Sequence, residues 1–416
     1  MIQVAVMGHG VVGSGVVEVL LSHHDSIAKR AKQEINVKYI LDLRDFPELS
    51  YSDKFIKDFE LIANDPEIKI VVEVMGGLHP AFEFVSRCLS EGKSVVTSNK
   101  ELVAEKGAEL LQLAEKYNAN FLFEASVGGG IPIIRPMVQC LAANEVQQIS
   151  GILNGTTNFI LTKMIKEQMS FEDALALAQK LGYAERNPAA DIEGHDTCRK
   201  ICILASLAFG RHIYPRQVHT EGITGVSLAD VEYADEFDCA VKLLGCTRRM
   251  DDGSVYVITA PYLVPRESQL AGVDDVFNAI MVEGDETGDV LFYGKGAGKF
   301  PTASAVVADI IDCAKHLDTR KYLSWADGGD GVVADYRKAA VRKYYRVCAS
   351  SVENAQTAIE EAFGKVAFLK RKNAPAGEMA FVTSCAEAEE ILDRKCAALM
   401  KHGCTVASQI RLADLK

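Results

Sequence analysis

An α/β protein is predicted, with a doubly wound parallel sheet at its N-terminus, an α+β domain in the middle and a small ferredoxin-like module at the end. Three observations carry this. The apolar run Ile2–Met7 passes straight into a Gly-x-Gly-x-x-Gly segment and then a helical pattern. Short apolar runs of buried-strand type then alternate with helical ones as far as Phe123. From Tyr345 onward the pattern is strand, helix, strand, strand, helix, strand, which is a split β-α-β arrangement.

A chain of 416 residues is too long for one hydrophobic core. The expected division is a discontinuous dinucleotide-binding domain (1–131 plus about 296–320), a substrate and dimerisation domain (132–295), a linker (321–343) and the final module (344–416). The formal net charge of −12, with no basic cluster, argues against nucleic acid as a partner. No apolar run reaches the roughly 18 residues of a membrane helix, and no secretory leader pattern precedes the first strand, so no membrane partner and a cytoplasmic location are expected. Eleven cysteines, an odd number without CxxC spacing, suit reduced thiols.

In Gly8-His9-Gly10-Val11-Val12-Gly13, the first glycine permits a tight turn and the second lets backbone approach a pyrophosphate. The third lets helix pack on strand, and the helix N-terminus attracts phosphate. The next strand, Val37–Leu41, ends at Asp42, the place for an acid that holds an adenosine ribose hydroxyl, which favours NAD. Arg44 instead suits the 2′-phosphate of NADP, and loop charges facing water are the plain alternative for both, so the choice of cofactor stays open. Strand Lys69–Met75 ends in Gly76-Gly77. Strand Ser94–Thr97 ends in Ser98-Asn99-Lys100, at the edge where open parallel sheets bind ligands, although Lys100 also fits as a helix-end charge.

Three successive glycines, Gly128–Gly130, mark either a hinge or backbone that lines a site. A helix is expected over Ile133–Ala142, a strand over Glu145–Leu153, and a helix capped by Thr or Asn after Asn154-Gly155-Thr156-Thr157. The stretch Ala184–Lys200 carries four carboxylates, Glu185, Asp191, Glu193 and Asp196, before an apolar helical run. Asp196 and Lys200 share one helix face. Such a pair is most often exposed and worth about 0.3–0.5 kcal/mol. A lysine at the mouth of a buried helix facing several acids also suits gripping a small zwitterion and moving a proton. Farther on, strands Val241–Arg248, Val255–Leu263 and Val276–Val282 belong to a mostly antiparallel sheet.

Taken together, these segments resemble homoserine dehydrogenases over residues 1–320. The resemblance rests on GHGVVG (Gly8–Gly13), TSNKEL (Thr97–Leu102), EASVGGGIPII (Glu124–Ile134), GILNGTTNFIL (Gly151–Leu161), AERNPAADIEGHDTCRK (Ala184–Lys200) and GKGAGKFPTASAVVAD (Gly294–Asp309). It implies a Rossmann-type cofactor domain and interconversion of L-homoserine and L-aspartate 4-semialdehyde with NAD or NADP. By the same resemblance Lys100 and Lys200 are catalytic, with Asp196 supporting Lys200, and Glu185 and Asp191 receive the substrate ammonium. Gly155, Thr156 and Gly296–Gly298 lie near nicotinamide and substrate. Gly8, Gly10, Val11, Val12, Gly13, Asp42, Arg44, Gly76, Gly77, Thr97, Ser98, Lys100 and Gly298 serve the cofactor. Glu124, with backbone of Val127, Gly129 and Ile131, corresponds to a monovalent-cation site for Na+ or K+. The resemblance also implies a homodimer or homotetramer. Residues 344–416 resemble an ACT domain by pattern, but carry Ser350-Ser-Val-Glu-Asn354 where such domains place a glycine-containing turn.

Overall fold

The computed structural model describes residues 1–321, 323 and 325–415. The chain forms two compact units, Met1–Gln147 with Cys202–Gln217 and Val282–Val332, and Gln148–Ile201 with Val218–Met281 and Val333–Lys416.

The first unit is built on a six-stranded sheet in the order Phe55–Ile56, Ile35–Leu41, Ile2–Met7, Ile68–Glu73, Ser94–Thr97, Phe121–Leu122. Neighbouring strands pair in parallel throughout. Ile2–Met7 sits centrally, and its apolar run is explained by helices covering both faces. Val4, Val6, Val16, Val72, Ala303 and Val306 share one core. Helix Lys299–Lys315 lies close against helix Val11–Ser22. A Cβ on Gly15 would stand 2.9 Å from Lys299 Cγ and 3.1 Å from Ala303 Cβ.

The helix expected over Ile133–Ala142 is present in part: it opens with Met137 N–H donating to Ile133 O at 3.0 Å and widens to a turn of π-helix, Pro136–Cys140, in which Leu141 N–H donates to Pro136 O at 2.9 Å. Pro136 stands at the first position of this segment, where its missing N–H costs no ladder bond.

The second unit centres on the long antiparallel strands Cys239–Arg249 and Val255–Pro265. Val146–Ile152 flanks the first of them, also antiparallel. On the other side, His219–Thr220 and the last strand, Cys404–Leu412, both pair in parallel with Val255–Pro265. The last strand continues the sheet into Lys343–Ala349, Glu378–Thr383 and Val366–Leu369. Alternation sends Tyr345, Val347 and Phe381 to helices Val352–Phe363 and Glu389–Lys401. Tyr344, Ala380, Val382 and Ile410 face the other way, into a core with Val231, Tyr233 and Val241.

Candidate active site

The glycine loop of the first unit has the geometry a dinucleotide needs. Gly8 has φ +99°, and a Cβ on Gly13 would lie 2.0 Å from Gly8 O, so both positions exclude side chains. Nothing stands within 4 Å of a Cβ built on Gly10, which leaves open space before the N-terminus of helix Val11–Ser22. That helix starts without a side-chain cap, so its first N–H groups and positive end suit phosphate. Val11 is exposed at this end and Val12 is half-buried.

Asp42 is tied to the same loop. Its Oδ2 accepts from His9 N–H at 2.8 Å, while Arg44 donates to both its oxygens at 2.9 and 3.0 Å and to His9 O at 3.1 Å. Hydrogen bonds from Arg44 hold the Asp42 carboxyl well below the usual range. The Arg44 side chain is 61% exposed and that of Asp42 9%. A carboxylate and a guanidinium thus sit together beside the glycine loop.

At the ends of the third and fourth long strands a carboxylate organises the turns. Glu73 is fully buried. It accepts from Met75 N–H at 2.8 Å, Gly76 N–H at 3.3 Å and Thr97 Oγ1 at 2.6 Å, and burial raises its pKa. Asn99 donates its amide to Gly77 O at 2.7 Å and caps the helix that Lys100 opens. Ser98 and Lys100 are half-buried, and Gly76 and Gly77 have φ +79° and +72°. Glu73 has no part in the sequence reading. A lone acid inside an apolar strand was the signal that marks it.

Glu124 is also buried. Its carboxylate accepts from the N–H groups of Ile133, Ile134 and Arg135 at 2.6, 2.9 and 2.8 Å, and its own N–H donates to Asp309, which pairs with Arg135. The glycine run beside it is crowded. A Cβ on Gly129 would meet Gly296 O at 2.3 Å, and Gly130 N–H donates to Lys295 O at 3.1 Å. Val127 and Ile131 are buried, and Gly298 opens the helix Lys299–Lys315 with φ +125°. Among the described residues no three His, Cys, Asp or Glu side chains form a metal-holding group.

The second unit carries a buried cluster centred on Lys200. Lys200 Nζ donates to Leu153 O at 2.7 Å and to Asp196 Oδ2 at 2.8 Å. The two side chains are 9% and 5% exposed, so this is a buried ion pair and not the surface pair that its spacing alone suggests. Asn154 donates one amide hydrogen to Asp191 Oδ1 at 2.7 Å and one to Asp196 Oδ2 at 2.9 Å. Its Oδ1 accepts from Thr157 N–H and caps helix Gly155–Glu167. Thr156 Oγ1 donates to Tyr183 O at 2.6 Å, and a Cβ on Gly155 would lie 2.7 Å from Val276 O. Asp191, Asp196 and Lys200 are therefore brought together. Glu185 is exposed on its loop and, among the described residues, forms no hydrogen bond with them. Glu193 is likewise exposed, against His195. Asn154 is the central residue of this cluster, and the sequence reading gave it only a capping role.

A Rossmann-type loop shaped for a dinucleotide is the mark of an NAD(P)-dependent oxidoreductase. The model of the homoserine dehydrogenase NAD-binding domain matches residues 8–124, and that of homoserine dehydrogenase itself matches residues 132–311. The homoserine dehydrogenase of Neisseria gonorrhoeae is 44% identical over 320 residues, covering 76% of this chain and 73% of that protein. A solved homoserine dehydrogenase from Thiobacillus denitrificans superposes with TM-score 0.90 at 34% identity, covering 100% of this chain and 99% of that one. A hyperthermophilic archaeal homoserine dehydrogenase solved in complex with NADPH gives TM-score 0.64 at 28% identity, covering 75% of this chain and 97% of that one. The chain belongs to the homoserine dehydrogenase family. Its reaction interconverts L-homoserine and L-aspartate 4-semialdehyde with NAD(P), within the aspartate-derived route to amino acids.

Proposed function

We propose that Lys200 is the acid–base group of this reaction, with Asp196 orienting it, Lys100 an assisting cation, and Asp191 and Glu185 receiving the substrate ammonium. The observation that carries the reading is the fixed position of Lys200 Nζ between Leu153 O and Asp196. When bound, the dinucleotide supplies the hydride acceptor or donor. In the oxidative direction neutral Lys200 takes the proton of the substrate hydroxyl, and in the reductive direction the ammonium returns it to the developing alkoxide. Asp196 stabilises the cation, which opposes deprotonation, so its contribution is orientation. The N-terminus of helix Gly155–Glu167, with Gly155 and Thr156 in its first turn, suits the substrate carboxylate.

Gly8, Gly10, Val11, Val12 and Gly13 would take the pyrophosphate, and Asp42 and Arg44 the adenosine ribose or its 2′-phosphate. Gly76, Gly77, Thr97, Ser98 and Gly298 would line the remainder. Glu124 with the carbonyls of Val127, Gly129 and Ile131 would hold Na+ or K+, as a brace on the glycine run. Residues 344–416 are read as a divergent ACT-like module, beside the cofactor domain (1–131 with about 296–320) and the substrate domain (132–295). A homodimer or homotetramer in the cytoplasm completes the reading, the location supported by eleven free thiols.

Lys200→Met tests the central assignment. Turnover of homoserine should fall about 10²–10⁴-fold while NADPH affinity, measured by fluorescence titration, stays nearly unchanged. Turnover within a few fold of the parent would remove Lys200 from the role.

A further inference from the structure

Asn154 does more than start a helix. Its amide is planar, and all its hydrogen-bonding positions described above are set: the oxygen faces Thr157 N–H, one hydrogen faces Asp191, and the other faces Asp196. The side chain is buried, so water does not compete freely for those contacts. Asp196 Oδ2 accepts from Asn154 and from Lys200 Nζ at once, at 2.9 and 2.8 Å. One nitrogen therefore bridges the acid proposed to grip the substrate ammonium and the acid that holds the lysine proposed to transfer the proton.

We propose that Asn154 is a positioning residue that converts recognition of the substrate's α-ammonium at Asp191 into alignment of its hydroxyl with Lys200. This rests on the assignments of Asp191 and Lys200 made above. A substrate anchored on Asp191 is registered to the same rigid amide that places Asp196, and through it Lys200. An alcohol without the α-amino group is not registered to that frame, so its hydroxyl meets Lys200 without a fixed geometry. Misplacement of about 1 Å at a reacting centre can cost on the order of 10²-fold in rate. The amino group is therefore read in kcat as well as in KM.

The reaction with the deaminated substrate balances in the same way. 4-Hydroxybutanoate loses a hydride to NADP+ and its hydroxyl proton to the lysine, giving succinate semialdehyde, NADPH and, on release, H+.

The test uses the full chain with NADP+, and kcat and KM for homoserine and 4-hydroxybutanoate, in the parent, Asn154→Ser and Asn154→Ala. Serine keeps an oxygen that caps the helix but has no amide hydrogens to bridge the acids. With Asn154→Ser, kcat for homoserine should fall about 10–100-fold, and by at least about tenfold more than kcat for 4-hydroxybutanoate, so the preference in kcat collapses. The melting temperature of Asn154→Ser should stay close to that of the parent, and that of Asn154→Ala should drop, because alanine also loses the cap. Equal losses on both substrates, or a homoserine kcat within a few fold of the parent, would overturn the proposal. If the parent's rate with 4-hydroxybutanoate is too slow to detect, homoserine alone decides: a fall in kcat supports the bridge, and an effect confined to KM overturns it. Should Asn154→Ser misfold, Asn154→Thr carries the same comparison. An active Lys200→Met removes the acid–base assignment, whereas an active Asn154→Ser removes only the bridge.

Discussion

His9 lies between two glycines of the cofactor loop, yet its ring is buried among Phe46, Tyr51 and Phe55. Burial lowers its pKa, with Arg44 and Lys299 adding to the effect and Asp42 and Glu18 opposing it. The folded protein therefore holds it neutral where the unfolded chain would protonate it, near pH 6.5. Below that pH the unfolded state binds more protons, so the contribution to stability is full above about pH 6.5 and is lost as pH falls toward the folded value. Thermal melts from pH 7.5 to 5 should show this decline, and His9→Asn should flatten it. A parent curve that matches the variant would rule it out. At this scale the place of Asp42 and Arg44 beside the glycine loop was legible from their order after the second strand, because the end of that strand lies next to the turn that carries His9. Asn154 was not. Its partners lie 37 and 42 residues onward, and nothing local distinguishes a bridging amide from an ordinary cap.

Among the elements, the first strand–turn–helix separates two uses of glycine. Gly13→Ala places a methyl against Gly8 O, where the backbone has to move, and overpacking of this kind costs about 1–3 kcal/mol. Gly10→Ala meets nothing within 4 Å, so the fold should tolerate it while the methyl intrudes on the space for the pyrophosphate. Calorimetry should show a lowered melting temperature for Gly13→Ala and a nearly unchanged one for Gly10→Ala, with NADPH binding weakened in both. The reverse pattern would reject this division. The parallel strands were legible because burial on both faces makes them continuous apolar runs. The π-turn at Pro136–Cys140 was hidden, since its apolar spacing also fits a regular helix. Helix Ala189–Ile192, a single turn after Pro188, was too short to show a period.

For the whole molecule, the C-terminal module is bound into the second unit's sheet and core. Tyr344, Ala380, Val382 and Ile410 fill a core with Val231, Tyr233 and Val241. Arg346 and Tyr344 reach the buried Asp230 carboxylate at 2.9 and 3.0 Å. Removing residues 333–416 would leave that carboxylate without its cation, a loss worth about 3–5 kcal/mol, and would expose the apolar face as well. The shortened chain should accumulate as aggregate, measured as soluble yield and by sedimentation. A soluble, active 1–332 chain would contradict this. The module's elements were legible from alternation and caps. The way its last strand joins the sheet was not, because Arg411, Lys343 and Glu389 look like surface charges in the sequence but form a buried ion network in the fold. Parallel pairing of Tyr262 with Arg411 also spans far more chain than a local pattern reaches.

Asn154 is followed by Gly155, and asparagine before glycine is chemically fragile: in a loose chain the glycine nitrogen attacks the side-chain carbonyl and expels ammonia, and water then opens the cyclic imide to aspartate or its isomer. In the fold the amide is held at both ends, so its carbonyl carbon is not free to swing onto the Gly155 nitrogen. The protection exists only while the helix start is intact. Each excursion to an open state exposes the dipeptide, and a molecule that deamidates and then refolds would carry a third carboxylate between Asp191 and Asp196. The cluster thus records the thermal history of the protein: ageing would appear as lost turnover in molecules that still fold.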